Sequence, residues 1–310
     1  MPSTPTVPHG VTVFERGWLS SNNVLLHGDS EDAGSVLIDS GHFTHADQTV
    51  ALVRQTLSGG RLARIVNTHL HSDHCGGNAS LQRVFGCAIG IPPGQWQAVQ
   101  RWDEQALSYA PTAQRCERFV ADHIVAPGDA VCVGGHQWQA FAAPGHDPHS
   151  LILFEPETRT AITADALWQR GFGVVFPELD GERAFDDVAD VLALIESLDV
   201  RLAIPGHGAP FDDVPAALQV ARQRLAGFRA DPERHARHAM KALLKFHLLA
   251  EQRQTWAQLS DFLHRGSLYG QVWERLGRPE GSMDRFGESL VRELTGIGAL
   301  ASRDGVVYNA

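Results

Sequence analysis

Short apolar runs separated by turn residues dominate the first two thirds of the chain. VTVFE, NNVLLHG and SVLIDSG, each bounded by Gly, Ser or Asn, predict early strands. HADQTVALVRQTL places Val50, Leu52, Val53 and Leu57 at helical spacing. LARIVN predicts a buried strand that delivers the chain straight into THLHSDH. NASLQRVF then predicts a short helix, CAIGI a strand, and PPGQWQAVQRWDEQALSYA, opened by Pro92 and Pro93, a longer and lid-like helix. DAVCVGG, HQWQAFAAPG, SLILFEP and TAITAD form a second β-rich block. It is followed by the amphipathic FDDVADVLALIESL, the strand RLAIPG and the loop GHGAPFDD.

From Val214 onward the pattern changes to helix. AALQVARQRLAGF, ERHARHAMKALLKFHLLAEQ and TWAQLSDFLHR are successive helical segments, and RFGESLVRELTGIGALASRDGVVYN predicts a helix followed by a small hairpin. The change divides the chain into an α/β unit over residues 1–212 and a helical unit over 213–310 whose ending looks like a winged-helix element. No internal repeat or low-complexity segment is found.

Composition narrows the class further. With 43% apolar and 20% charged residues, the chain reads as an ordinary globular protein, not a disordered or fibrous one. No apolar run approaches the roughly 18 residues of a membrane helix, and MPSTPTVPHGVTVFERG has neither a basic nor an apolar leader region. The expected location is cytoplasmic. Cys75, Cys87, Cys116 and Cys132 form no CxxC pair and predict reduced, buried thiols. The net charge is −10, but Arg222 to Arg278 holds 11 Lys and Arg against 5 Asp and Glu, a local +6 that leaves −16 for the rest.

The densest chemistry is in NTHLHSDHCGG, Asn67 to Gly77. His69 and His71 alternate, so an extended backbone can aim both to one side. Asp73 and His74 follow, and Gly76 and Gly77 let the chain turn sharply into a helix. Four such polar groups at the end of a buried strand are costly as mere structure, and a metal would satisfy them. His146 in APGHDPHS, Asp165 at the end of TAITAD and His207 in IPGHG each follow a β-rich run at or near a glycine turn. Five histidines and two aspartates suit zinc, with manganese or iron as alternatives. No GxSxG elbow, P-loop or GxGxxG motif competes.

Over residues 10–210 these motifs resemble the metallo-β-lactamase fold superfamily, with a metal site like that of glyoxalase II. The resemblance implies a four-layer αββα sandwich fused to a helical C-terminal domain. It implies that His69, His71 and His146 hold one metal, that Asp73, His74 and His207 hold a second, and that Asp165 bridges the two zinc ions. Asp39 in LIDSG matches an early Asp that supports the site, while His42 has no counterpart and reads as a surface or supporting histidine. Two metals about 3.5–4 Å apart share a water and bring its pKa near neutrality, so the implied nucleophile is a metal-bridging hydroxide, with Asp73 orienting it and moving a proton.

Substrate choice lies outside this set. The expected reaction is hydrolysis of an ester-like bond, thioester or lactone, in a small molecule. Trp168, Phe172 and Phe176 lie near the expected cleft mouth, where they line a pocket or pack a core, and His149 either supports His146 or touches substrate. The basic C-terminal helices suit a cleft cap, a homodimer surface or nucleic-acid phosphates. An endoribonuclease or phosphodiesterase is therefore the alternative within the hydrolases. A mononuclear iron persulfide dioxygenase and a non-catalytic metal-binding regulator are the alternatives outside them.

Overall fold

The computed structural model describes residues 5–30 and 33–310; the first four residues, part of the segment expected to lack a leader, lie outside the described residues. The first half contributes β1 (Val11–Phe14), β2 (Asn23–Leu26), β3 (Ser35–Ile38), α1 (Ala46–Leu57), β4 (Leu62–Val66), α2 (Ser72–Cys75), α3 (Asn78–Phe85), β5 (Ala88–Ile91), α4 (Trp96–Arg101) and β6 (His123–Ile124). Its six strands form one mixed sheet in sequential order, antiparallel from β1 to β3 and parallel from β3 to β6. The second half adds β7 (Ala130–Val133), β8 (His136–Ala142), β9 (Leu151–Glu155), β10 (Thr160–Ala164), α5 (Phe176–Asp180), α6 (Ala184–Ser197) and β11 (Leu202–Pro205). These strands form a second sheet in the order β11-β10-β9-β8-β7.

The period of two along each strand sorts side chains into layers. Val24, Leu26, Val36, Ile38 and Val66 point inward and meet Trp138, Leu151, Leu153, Ile162 and Ile204 from the other sheet. Their neighbours Leu25, Leu37 and Ile65 point outward onto Val50, Val53 and Leu81 of α1 and α3. On the opposite flank Ile152, Phe154, Ala161 and Ala203 pack against Val188, Val191, Leu192 and Ile195 of α6. Because both faces are covered at the middle of each sheet, the central strands are continuous apolar runs, and the result is the expected αββα sandwich.

The helical region comprises α7 (Val214–Ala230), α8 (Pro232–Glu251), β12 (Arg253–Thr255), α9 (Trp256–Arg265), α10 (Ser267–Arg275), α11 (Met283–Gly296), β13 (Leu300–Arg303) and β14 (Val306–Asn309). Leu218, Ala221 and Leu225 of α7 pack with α6 in the outer layer of the sandwich. The later helices share their own core, built on Met240, Leu244, Phe262, Tyr269 and Phe286. The C-terminal hairpin is present, turned by Asp304 and Gly305 with φ of 53° and 74°, and β12 extends it into a three-stranded antiparallel sheet. No helix among the described residues is long and apolar enough to cross a membrane.

Two expectations are corrected. The segment from Pro92 to Ala110 is not one helix: α4 stops at Arg101, where Trp102 takes a left-handed φ of 55°, and turns stabilised by Asp103 follow. Its pattern lacks the long apolar stripe that packing needs to sustain a helix. Cys75, Cys87 and Cys116 are buried as expected, but Cys132 is exposed, because alternate residues of β7 face solvent.

A buried polar knot ties the sheet ends to α2. Asn78 accepts from Ser40 Oγ at 2.7 Å and donates to Asn67 Oδ1 at 2.6 Å, while Asn67 Nδ2 donates to the His74 carbonyl at 3.2 Å. Replacing Asn78 by Ala leaves the buried Asn67 Oδ1 without its donor, while Ser40 Oγ keeps its bond to the His74 carbonyl, and urea unfolding is expected to lose about 1–3 kcal/mol. An unchanged midpoint would contradict the role assigned to this knot.

Candidate metal centre

The ends of the strands converge on one place. The carboxyl end of β4 leads to His69 and His71, α2 carries Asp73 and His74, the β8–β9 loop carries His146, and Asp165 and His207 follow β10 and β11. All seven residues singled out in the sequence come together, in two groups: His69, His71 and His146, and Asp73, His74, Asp165 and His207. Within each group the candidate ligand atoms lie within 4.8 Å of one another.

The backbone is bent to achieve this. Asp39 and Ala164 hold left-handed φ of 57° and 44°, unusual for residues with a side chain. Gly206 must lack a Cβ, since one would lie 2.1 Å from Asp165 Oδ1.

Each imidazole is oriented from behind. His74 Nδ1 donates to Asp39 Oδ2 at 2.7 Å, His146 Nδ1 to the Val174 carbonyl at 2.5 Å, and His207 Nδ1 to the Gly17 carbonyl at 3.1 Å. These acceptors have no proton to give, so Nδ1 carries a hydrogen and Nε2 is the nitrogen turned toward the other side chains of the cluster, its lone pair available to a cation that displaces any second proton. For His69 the relay is longer. Thr68 Oγ1 donates to Asp39 Oδ2 at 2.7 Å and accepts from His69 Nδ1 at 3.1 Å, again freeing Nε2. The Nε2 atoms of His69 and His74 are buried without any hydrogen-bond partner.

The lone pairs face one another and the carboxylates. His71 Nδ1 lies 2.8 Å from His146 Nε2, near enough to share one proton or one cation. Asp165 stands between the groups, Oδ2 at 3.3 Å from His146 Nε2 and Oδ1 at 3.4 Å from His74 Nε2. Asp73 Oδ2 is 3.0 Å from His207 Nε2. Buried, unpartnered nitrogens next to two carboxylates are a poor protein core and a good N/O donor set for a divalent cation. The residues therefore fit a metal.

Protonation follows the same division. Burial, reinforced by His74 and His71, pushes His69 far below the usual imidazole range, and burial with His146 beside it brings His71 to about 4. Burial also acts on His74, but Asp39, Asp165 and Asp73 outweigh it and raise the imidazole well above its ordinary value. His207 is raised in the same way by Asp165 and Asp73 against burial. Burial opposes charge on Asp73 as well, yet His74 and His207 hold it down to about 2.

A cavity of about 570 Å³ opens over the cluster. Trp18, Trp168, Phe172 and Phe176 line one part, and Leu243, Phe246 and Leu249 of α8 line another. Phe172 and Phe176 combine the two roles considered for them: each borders the cavity, and Phe172 is also fully buried in the sandwich core. Trp168 Nε1 donates to Asp165 Oδ1 at 3.2 Å. His149 is not among the residues bordering the cavity; its ring lies against Gly94.

Asp39 supports the site as expected, but His42 is no surface residue: it is 2% exposed, with Phe246 of α8 edge-on 5.5 Å away. Sequence reasoning missed Trp18, whose ring stacks on His207 at 5.5 Å, and the α8 wall. Neither carries a local signal, since each reaches the site only through the fold.

Comparison with known proteins follows this geometry. A hydroxyacylglutathione hydrolase of Maricaulis maris is 27% identical over 51% of this chain and 52% of its own length. A mitochondrial persulfide dioxygenase of Bos taurus is 32% identical over 50% and 51%. The chain spans about half the length of these curated relatives. A metallo-beta-lactamase family protein of Thermus thermophilus shares the fold across 97% of this chain and 99% of its own, with a TM-score of 0.59 and 17% identity. The model of the metallo-beta-lactamase superfamily matches residues 16–207, a span that ends on the last histidine of the cluster, and the chain belongs to that superfamily.

Proposed function

We propose that the chain is a dinuclear metallo-hydrolase, zinc being the metal its donors suit best, that cleaves a thioester or lactone in a small molecule. The observation that carries this reading is the convergence of oriented imidazole lone pairs on the floor of a largely apolar cavity. His69, His71 and His146 are the residues to hold one ion, Asp73, His74 and His207 the other, with Asp165 between them. Bound ions of this kind supply Lewis acidity and a water deprotonated near neutral pH. Asp73, beside His207 and facing the cavity, accepts a proton from the attacking water and passes it toward the leaving group. The aromatic and α8 walls exclude water and hold the acyl part. The hydroxyacylglutathione hydrolase relative, by its name a thioester hydrolase, agrees with this reading.

Two observations favour a small molecule over RNA. The cavity walls are chiefly apolar, and much of the positive excess on the C-terminal helices is already engaged within the fold. Arg222 pairs with Glu196, Arg229 with Asp186, Arg237 and Lys241 with Glu293, and Arg278 with Glu274. A phosphate-binding face keeps such groups free for counterion exchange.

Replacing Asp73 by Ala is expected to lower kcat/KM on a thioester or lactone at least about a hundredfold, with the far-ultraviolet circular dichroism unchanged. Full activity in a folded variant would contradict the mechanism. Metal content should also depend on pH in a divided way. His69 and His71 are already unprotonated above about pH 5, so acid between pH 7 and 5 adds no proton to these two nitrogens and weakens the ion they hold less. His74 and His207 have raised pKa values and gain protons as the pH falls, so the ion they share with Asp73 weakens about tenfold per pH unit for each proton taken up. Calorimetric titration with zinc across this range reads the difference; equal weakening of both ions would refute it.

A further inference from the structure

Outside the metal cluster, the charged side chains lining the cavity are Arg170, Arg224 and Lys245; among the described residues no carboxylate joins them. In a chain of net charge −10 that one-sided lining is unexpected. Lys245 is engaged elsewhere, donating to the Ala299 carbonyl at 2.6 Å and to Asn309 Oδ1 at 2.5 Å. Arg170 is exposed. Arg224 differs from both, and from its neighbours Arg222 and Arg229 on α7, which pair with Glu196 and Asp186.

The Arg224 guanidinium is partly buried and touches only neutral partners. Its Nη2 donates to His238 Nε2 at 2.6 Å, Nη1 reaches the Arg170 carbonyl at 3.5 Å, and the group lies over the rings of Phe172 and Phe228 at 5.5 and 5.4 Å. His238 is kept neutral, at about 3, by burial and by Arg224 itself. Gly171 makes the room: at φ 121° a Cβ there would lie 2.6 Å from Nη1. A guanidinium stays charged and has five N–H donors in a fixed fork, so these contacts leave donors to spare. Holding such a charge partly out of water without a counter-ion carries a cost. The fold keeps it at the wall of the substrate cavity.

We infer that Arg224 selects the substrate by binding a carboxylate or phosphate borne on the end of the molecule remote from the cleaved bond. The substrate class is then an anionic acyl ester or thioester, not a neutral one. The inference rests on the hydrolase reading for the reaction, but the anion site itself is a matter of binding. Planar two-point contact with an oxyanion is the geometry a guanidinium favours.

The test compares three thioesters with the metal-loaded protein: pentanoyl-N-acetylcysteamine, neutral; glutaryl-N-acetylcysteamine, with a carboxylate on the acyl end; and acetyl-4′-phosphopantetheine, with a phosphate on the thiol end. One anionic member is expected to exceed the neutral one in kcat/KM by about tenfold or more, carried by KM; which one it is distinguishes the two sources of negative charge. Arg224→Gln brings that ratio near one, and Arg224→Lys restores part of it. Calorimetric binding of the uncleavable thioethers S-pentyl- and S-(4-carboxybutyl)-N-acetylcysteamine and S-ethyl-4′-phosphopantetheine gives a readout free of turnover. Arg224-dependent binding of one of the two anionic thioethers without any hydrolysis would uphold the anion site and overturn the hydrolase reading. Hydrolysis with no preference for charge, or a preference that survives in Arg224→Gln, would overturn the anion site and leave the hydrolase reading standing. If Arg224 serves only to pack Phe172 and Phe228, its variants lower thermal stability while the wild-type protein itself shows no anionic preference.

Discussion

The structure depends on hydrogen bonds made behind the site. Asp39, the Thr68 hydroxyl and the carbonyls of Val174 and Gly17 take the far ring hydrogens of four histidines, and by doing so they aim four lone pairs into one small volume. Once those tautomers are set, the near nitrogens have no protein partner that would satisfy them all, and a cation becomes the group that does. Asp39 does this twice, directly for His74 and through Thr68 for His69, which explains why a residue outside the metal cluster is held in a left-handed conformation at the end of β3.

The sandwich supplies the rigidity that such aiming needs. Four strand ends are fixed by two sheets whose central strands are buried on both faces. Ala164 and Gly206 show the tolerance: the Ala164 carbonyl accepts from Gly206 N at 2.7 Å, drawing β10 and β11 together so that Asp165 sits against a residue without a side chain. The helical region completes the cavity by laying Leu243, Phe246 and Leu249 across it. The cavity therefore has two surfaces of different origin, a polar floor from the strand ends and an apolar wall from α8.

Much of this was legible in the sequence because the relevant signals are local. HxHxDH on the end of an apolar run, glycine turns at or near the later candidates and strands apolar on both faces are patterns of neighbouring residues, and they brought the seven clustered residues into view, while the layer order came from the family resemblance those motifs carry. What escaped was set by distant packing. Trp18 reaches His207 from the opposite end of the α/β unit, His42 is buried by a helix from the far half, and Arg224 borders the cavity only because α7 lies on the outer layer. The segment after Pro92 misled for the opposite reason: its helix-forming composition is local, but no apolar stripe was there to hold more than α4 in place.

The most direct test of the account is the metal content of the purified protein by elemental mass spectrometry, measured for the native chain and for His146→Ala and His207→Ala beside it. Two divalent ions per native chain, zinc by preference, with loss of about one ion in each variant, is the predicted result. One iron per chain that His207→Ala leaves untouched would contradict the dinuclear site and favour the chemistry of the persulfide dioxygenase relative instead.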